Sequence, residues 1–340
     1  MPVHDIAHVE MYTRDKAATA DYFVSAMGFT WVADCVEVDR SSVLLRQGDL
    51  HLVVTSGPGV WKFLDKHGDG VATIALTCDD VAATHDAAVA AGARSVGTPY
   101  GSPVVTGFGD VTHALLPVTA RSATYLPPGR RWTAAPEPSA RPEGPIRLLD
   151  HVAVCVEGGS LDRHADFYQD AFGFARYSSE YVAVGGQAMD SLVVRSASER
   201  VIFTLVAPDP SKEPGQLDAF LQRNAGEGVQ HLAFLVDDII PAVRACRDRG
   251  VEFLSTPDTY YEMLADRLTG LNEEIAGLRD AQVLADSDEW GYLLQLFTRS
   301  PYERNTLFFE LIQRQGSRGF GSANIRALYE AVERDRLTAS

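Results

Sequence analysis

The chain has 340 residues, enough for about two domains of ordinary size. Thirty basic against 46 acidic residues give a formal net charge of −16, which sets the chain against nucleic acid and anionic membranes as partners. Hydrophobic residues make up 46% and charged residues 22%, the balance of a globular protein, and no apolar run approaches the ~20 residues of a membrane span.

The N-terminus, MPVHDIAHVEMY, lacks a basic segment followed by an apolar core, so a cytoplasmic location is expected. Cys35, Cys78, Cys155 and Cys246 have no close pairing, and most lie in apolar runs. Buried free thiols are expected rather than disulfides or a thiolate zinc site.

An internal repeat organises the chain. DIAHVEMYTRDKAATADYFVSAMGF, from Asp5, resembles LLDHVAVCVEGGSLDRHADFYQDAFGF, from Leu148. Each reads as a strand, a helix with an aromatic pair and a Gly-Phe stop. GDGVATIALTCDDVAATHDAAVAAGARSVGTP, from Gly68, resembles GEGVQHLAFLVDDIIPAVRACRDRGVEFLSTP, from Gly226. There Asp79-Asp80 and Asp237-Asp238 suit helix N-termini, and Gly92 and Gly250 suit the left-handed residue after a helix. The expectation is an α+β fold of two domains, residues 1–126 and 148–340, each built from paired modules. Residues 127–147, dense in proline, read as a linker without regular ladders.

The second domain carries additional material. Leu264, Leu268, Leu271, Ile275 and Leu278 recur at helical spacing and predict one amphipathic helix over 261–278. The strands WGYLLQLFTR and TLFFELIQR follow. Past the glycine-rich hinge GSRGFGS, Ile325, Leu328, Tyr329 and Val332 mark a closing helix that either covers a site or packs on the domain.

His151, His231 and Glu310 each lie inside an apolar, strand-like run, where a polar group needs a partner. Two imidazoles and a carboxylate meeting at one point form the facial triad that holds non-heme Fe(II) with open positions. The spacings, 80 and 79 residues, mean that only tertiary folding joins them. In the first repeat His8 falls at the position of His151, but Thr73 falls at that of His231, so one metal site per chain is expected, in the second domain. Gln216, Gln230 and Gln295 stand in apolar company, and a buried carboxamide has donors and an acceptor to satisfy. Ser191 and Asn324 are further polar candidates, and Phe297, Phe308 and Phe320 suit a slot for an aromatic ring.

DHVAV, VQHLAF, LLQLFTRSP, FFELIQR and GFGSANI, in this order, resemble the vicinal-oxygen-chelate superfamily. Within it they resemble the 2-oxo-acid dioxygenases related to 4-hydroxyphenylpyruvate dioxygenase. The resemblance implies two glyoxalase-like open barrels of βαβββ modules with a C-terminal lid helix. It implies Fe(II) on His151, His231 and Glu310, and O2 as co-substrate. The substrate, an aromatic 2-oxo acid, would chelate the iron itself, with no separate 2-oxoglutarate. Gln230 and Gln295 would then lie near the keto acid, and Gln216 and Asn324 near the ring. The family's usual Pro-x-Asn is replaced by Thr204-Leu205-Val206, and its usual Asn-Phe ending by Asn324-Ile325. These departures match the branch that hydroxylates the benzylic carbon, giving 4-hydroxymandelate and CO2. Alternatives are the homogentisate-forming reaction and a non-catalytic small-molecule-binding member. An extradiol ring-cleaving enzyme needs a further acid–base histidine, and neither His113 nor His164 is suitably placed in the sequence. Homo-oligomer formation stays open.

Overall fold

The computed structural model describes residues 3–118, 124–135, 144–268, 274–321 and 323–324. Among these described residues, nine strands form the first sheet: β1 (Val3–Tyr12), β2 (Thr30–Val36), β3 (Ser41–Gln47), β4 (Leu50–Ser56), β5 (Gly70–Cys78), β6 (Ser95–Gly97), β7 (Val104–Thr106), β8 (Thr112–Pro117) and β9 (Trp132–Ala134). Eight form the second: β10 (Ile146–Cys155), β11 (Ala175–Val184), β12 (Gln187–Arg195), β13 (Ile202–Pro208), β14 (Gly228–Val236), β15 (Leu284–Asp288), β16 (Gly291–Phe297) and β17 (Phe308–Gln315). The spatial orders, β6-β7-β8-β5-β1-β4-β3-β2-β9 and β11-β12-β13-β10-β14-β17-β16-β15, share one plan. In each, two four-stranded modules join along a central antiparallel pair, β1–β5 and β10–β14, and in the first sheet β9 adds a ninth strand at the β2 edge. The expected α+β repeat architecture is present. Among the described residues, no helix is long and apolar enough to cross a membrane.

Alternation along the strands sets two faces. One face of the second sheet carries Val152, Val154, Phe203, Leu205, Leu232, Phe234, Leu294, Phe309 and Leu311, all buried in a core that extends into the first sheet. The Phe309 ring lies 5.2 Å from that of Phe23, and Phe234 lies 6.2 Å from Phe29. Across another part of the interface, the His113 ring nitrogen bonds the Tyr168 hydroxyl at 2.8 Å. The opposite face of the sheet is left for chemistry.

Local signals behave largely as their residues dictate. Asp80 caps its helix by accepting from the Ala83 N–H, and Gly92 and Gly250 adopt φ of +106° and +95°. Asp238 makes no side-chain cap; Gln313 instead accepts the N–H of Ile239 at 2.8 Å. Two expectations change. The helix predicted over 261–278 is two helices, Asp258–Arg267 and Ile275–Ala281, with Leu271 outside the described residues. Leu268 departs from helical geometry at φ −128°, ψ 75°, and the second helix resumes the apolar face with Leu278 fully buried. The proline-rich stretch also holds β9, which extends the first sheet beside β2 and seats Trp132, whose indole N–H donates to Pro127 O at 2.8 Å. Prolines flank this strand and leave its own N–H groups intact.

Candidate metal centre

His151 and Glu310 both stand opposite Ala233, and His231 stands opposite Ala153, so all three side chains project from one face of the second sheet. His151 Nε2 lies 3.4 Å and His231 Nε2 3.2 Å from the same oxygen, Glu310 Oε2, and one ligand atom from each residue falls within 4.8 Å of the others. An octahedral site with bonds of about 2.1 Å places adjacent ligand atoms about 3.0 Å apart, so the set fits one small divalent ion. His151 and Glu310 are 4% and 2% exposed, so the ligand set is shielded from bulk water.

The electrostatics suit a cation. Burial alone would raise the Glu310 carboxyl, but hydrogen bonds from both imidazoles hold it below its ordinary value. Burial lowers His231 despite the attraction of Glu310. Burial also opposes charge on His151, yet its bonds to Asp150 and Glu310 lift it to about 9.

The neighbours of the triad follow from register. Thr204 pairs with Ala153 and Val193, and Val206 with Cys155 and Ser191, so Ser191, Thr204 and Val206 share the ligand face. Phe308 stands beside His231, Phe297 opposite Glu310, and Gln295 opposite Ile312, on that face too. Phe308 stacks on His231 at 5.0 Å, Phe297 approaches it edge-on at 5.7 Å, and Phe320 meets His151 edge-on at 5.2 Å. Gln230 Oε1 lies 3.2 Å from His231 Nδ1. Ser191 donates to Glu180 O at 3.1 Å.

Seven buried side-chain polar atoms have no protein partner among the described residues. Three of them, Thr204 Oγ1, Gln295 Oε1 and Asn324 Nδ2, belong to residues singled out from the sequence as lining the site. Unpartnered buried polar atoms are rare, and a bound substrate is one thing that satisfies them. Asn324 is 1% exposed, and its Oδ1 accepts from the Tyr260 hydroxyl at 2.7 Å. The segment carrying it is pinned to β15. Asp288 Oδ2 accepts from the backbone of Arg318 and Gly319 at 2.7 and 2.8 Å, and Asp286 Oδ2 accepts from that of Ala323 at 3.1 Å. At Gly321, with φ +76°, a Cβ would stand 2.3 Å from Gln295 Oε1, so only glycine lets this segment cross the glutamine.

Two sequence candidates are not among the buried residues beside the triad that the structure describes. Gln216 is exposed at the start of the helix Gln216–Asn224, whose buried Leu217 and Phe220 pack against Val206 on the ligand face. Ile325 and the rest of the closing helix expected from the sequence lie outside the described residues.

The first sheet repeats the register without the ligands. His8 and Ala114 both stand opposite Ala75, as His151 and Glu310 stand opposite Ala233, and Thr73 takes the place of His231. His8 bonds the Tyr125 hydroxyl at 2.6 Å instead. His164 bonds Glu227 and His113 bonds Tyr168, so neither serves as an acid–base group beside the triad. Sequence reasoning passed over Asp150 and Arg314. Asp150 accepts from His151 Nδ1 at 2.8 Å, and Arg314 grips both oxygens of Asp150 at 2.7 Å. Arg314, four residues beyond Glu310 and so on the same face of its strand, was the signal the sequence offered; Asp150 had none, because plain alternation sends it to the other face.

Comparison with known proteins agrees with this geometry. The model of the Glyoxalase/Bleomycin resistance protein/Dioxygenase superfamily matches residues 5–108 and 148–296. The 4-hydroxyphenylpyruvate dioxygenase of Aspergillus fumigatus is 31% identical over 97% of this chain and 92% of its own length. That of Neurospora crassa is 36% identical over 80% of this chain and 71% of its own. The chain therefore belongs to this superfamily and, within it, to the 4-hydroxyphenylpyruvate dioxygenase family. A solved structure of a triple mutant of 4-hydroxymandelate synthase from Streptomyces coelicolor resembles it at a TM-score of 0.87 and 49% identity. That match covers 98% of this chain and 100% of the other.

Proposed function

We propose that this dioxygenase converts 4-hydroxyphenylpyruvate and O2 to 4-hydroxymandelate and CO2, using Fe(II) on His151, His231 and Glu310. The observation that carries the product assignment is the end-to-end likeness to a hydroxymandelate synthase at 49% identity, against 31% and 36% for the dioxygenases above. Iron(II), when bound, would supply open coordination positions and pass electrons to O2, all four coming from the substrate: two from loss of CO2 and two from the C–H bond that is hydroxylated. The chain supplies aromatic and apolar walls on the ligand face and a few polar groups.

Each wall has a stated task. Phe297 and Phe308 flank His231 and offer flat apolar surfaces to the substrate ring. Gln295 and Thr204 present buried oxygens that lack protein partners, suited to the polar ends of a phenolic 2-oxo acid. Val206 packs in an apolar cluster with Cys155, Leu217 and Phe220, so this part of the wall offers the phenol no hydrogen bond. Ile325 replaces the family's usual aromatic residue in the sequence, and this change is read as favouring oxidation at the benzylic carbon. A preference of about 1.4 kcal/mol between the two barriers changes the product ratio tenfold, so a few wall contacts suffice. Homogentisate formation is the second reading, favoured by the names of the curated relatives.

The test is stoichiometric. Purified protein is incubated with Fe(II), O2 and 4-hydroxyphenylpyruvate. One CO2 per O2, abolished when the iron is chelated, with 4-hydroxymandelate as the aromatic product, is the expected result; iron-independent turnover, no turnover with the iron-loaded protein, or homogentisate as the main product would refute the reading.

A further inference from the structure

Both ligand histidines are followed or preceded by a break in the ladder. Along β10, Leu149 pairs with Phe234 and His151 with Ala233, so Asp150 is the extra residue of a bulge. Along β14, His231 pairs with Ala153 and Val229 with Val154, so Gln230 is the extra residue of a second bulge. A bulge re-aims a side chain that would otherwise point to the far face. Here it turns Asp150 and Gln230 back toward the Nδ1 atoms of their neighbouring histidines, at 2.8 and 3.2 Å.

The first sheet keeps both bulges, with Ala7 and Ala72 as the extra residues. The fold thus retains the irregularities without needing polar side chains there. Polar groups occupy the bulges only in the half that carries the triad. The two histidines are also held unequally. Gln230 is a neutral partner. Asp150 is a buried carboxylate gripped through both oxygens by Arg314. Arg314 gives a further N–H to Gly319 O at 2.7 Å and lies 5.2 Å from the centre of the Phe320 ring, which itself meets His151. Four residues beyond Ala114, the counterpart of Glu310, the first half has Val118 where Arg314 would stand.

We infer that Asp150 and Arg314 are positioning residues for the metal. Asp150 takes the Nδ1–H of His151 and leaves Nε2 as the donor aimed at Glu310, and Arg314 fixes Asp150 while tying the 317–320 segment to the same clamp. A partner on the far nitrogen of a ligand histidine sets its tautomer and ring orientation, and losing it costs about 10- to 100-fold in metal affinity. The inference rests on the metal reading of the triad and concerns how tightly that site is held.

The test measures Fe(II) and Co(II) affinity anaerobically, by competition with a chromogenic chelator, in the full chain. Asp150→Asn keeps the size of the side chain and removes its charge, and is expected to bind about 10- to 100-fold more weakly than the unmodified protein. Arg314→Lys keeps the charge but loses the two-point grip, and should weaken binding by a smaller factor. Gln230→Leu, which removes only a neutral partner, should cost less than Asp150→Asn. Unchanged affinity in a folded Asp150→Asn overturns the inference while leaving the triad reading intact. If that variant does not fold, Arg314→Lys decides by the same criterion. A parent protein that binds neither metal more tightly than Glu310→Ala removes the metal reading, and this inference with it.

Discussion

Replacing Thr204 with valine should stabilise the free protein and weaken the enzyme. Thr204 lies on β13, 8% exposed, with a hydroxyl that has no protein partner and with Ala153 and Val193 as its cross-strand neighbours. Valine has nearly the same shape, so no cavity or clash arises. Removing an unpaired buried hydroxyl relieves a penalty of about 1–3 kcal/mol, and the unfolding free energy in urea should rise toward that range. If the same hydroxyl bonds the substrate, its loss costs about 0.5–1.5 kcal/mol, a roughly two- to tenfold fall in kcat/KM. The assay pairs urea denaturation with steady-state oxygen uptake on 4-hydroxyphenylpyruvate. A variant that is less stable, or equally active, would refute the claim that this hydroxyl is kept unpaired for a ligand.

Glu310→Ala should abolish iron binding and turnover, whereas His8→Ala should leave iron content unchanged; elemental analysis of the purified variants decides, and iron loss from the His8 variant would misplace the site. Ile325→Phe, alone or with Val206→Asn, should raise homogentisate at the expense of 4-hydroxymandelate, read by chromatography of the products. Stability should fall as pH drops from about 6.5 toward 4. Burial first, with nearby cations for His8 and His51, depresses His8 to about 3 and His51 and His113 to about 4. Below about 6.5 the unfolded chain takes up protons that these folded histidines refuse, so each removes up to about 1.4 kcal/mol per pH unit, roughly 4 for the three. His151, raised to about 9, contributes stability that is already complete below 6.5 and does not offset this loss. Urea midpoints measured at pH 5 and 6.5 check the slope, which should flatten by about a third in His51→Gln.

The triad was legible because polar residues in apolar strands stand out, and the internal repeat supplied a copy lacking them. Register then did what spacing could not: it put Ser191, Thr204, Val206, Gln295, Phe297 and Phe308 on the ligand face. Gln216 stands exposed because it is the first residue of its helix, whose apolar side is turned to the sheet through Leu217 and Phe220. Asp150 was illegible in the sequence. Strict alternation sends the neighbour of His151 to the far face, and only the bulge, a property of strand pairing, returns it. The single helix read over 261–278 failed because leucine spacing stays in phase across a break in the backbone.

The central claim is the product. 4-Hydroxymandelate and homogentisate are isomers, so mass alone does not separate them, but proton NMR of the reaction mixture does. The iron-loaded protein should convert 4-hydroxyphenylpyruvate to a product with a single benzylic CH(OH) proton and a ring still substituted only at its two para positions. A benzylic CH2 signal with three coupled ring protons, the signature of homogentisate, would contradict the account.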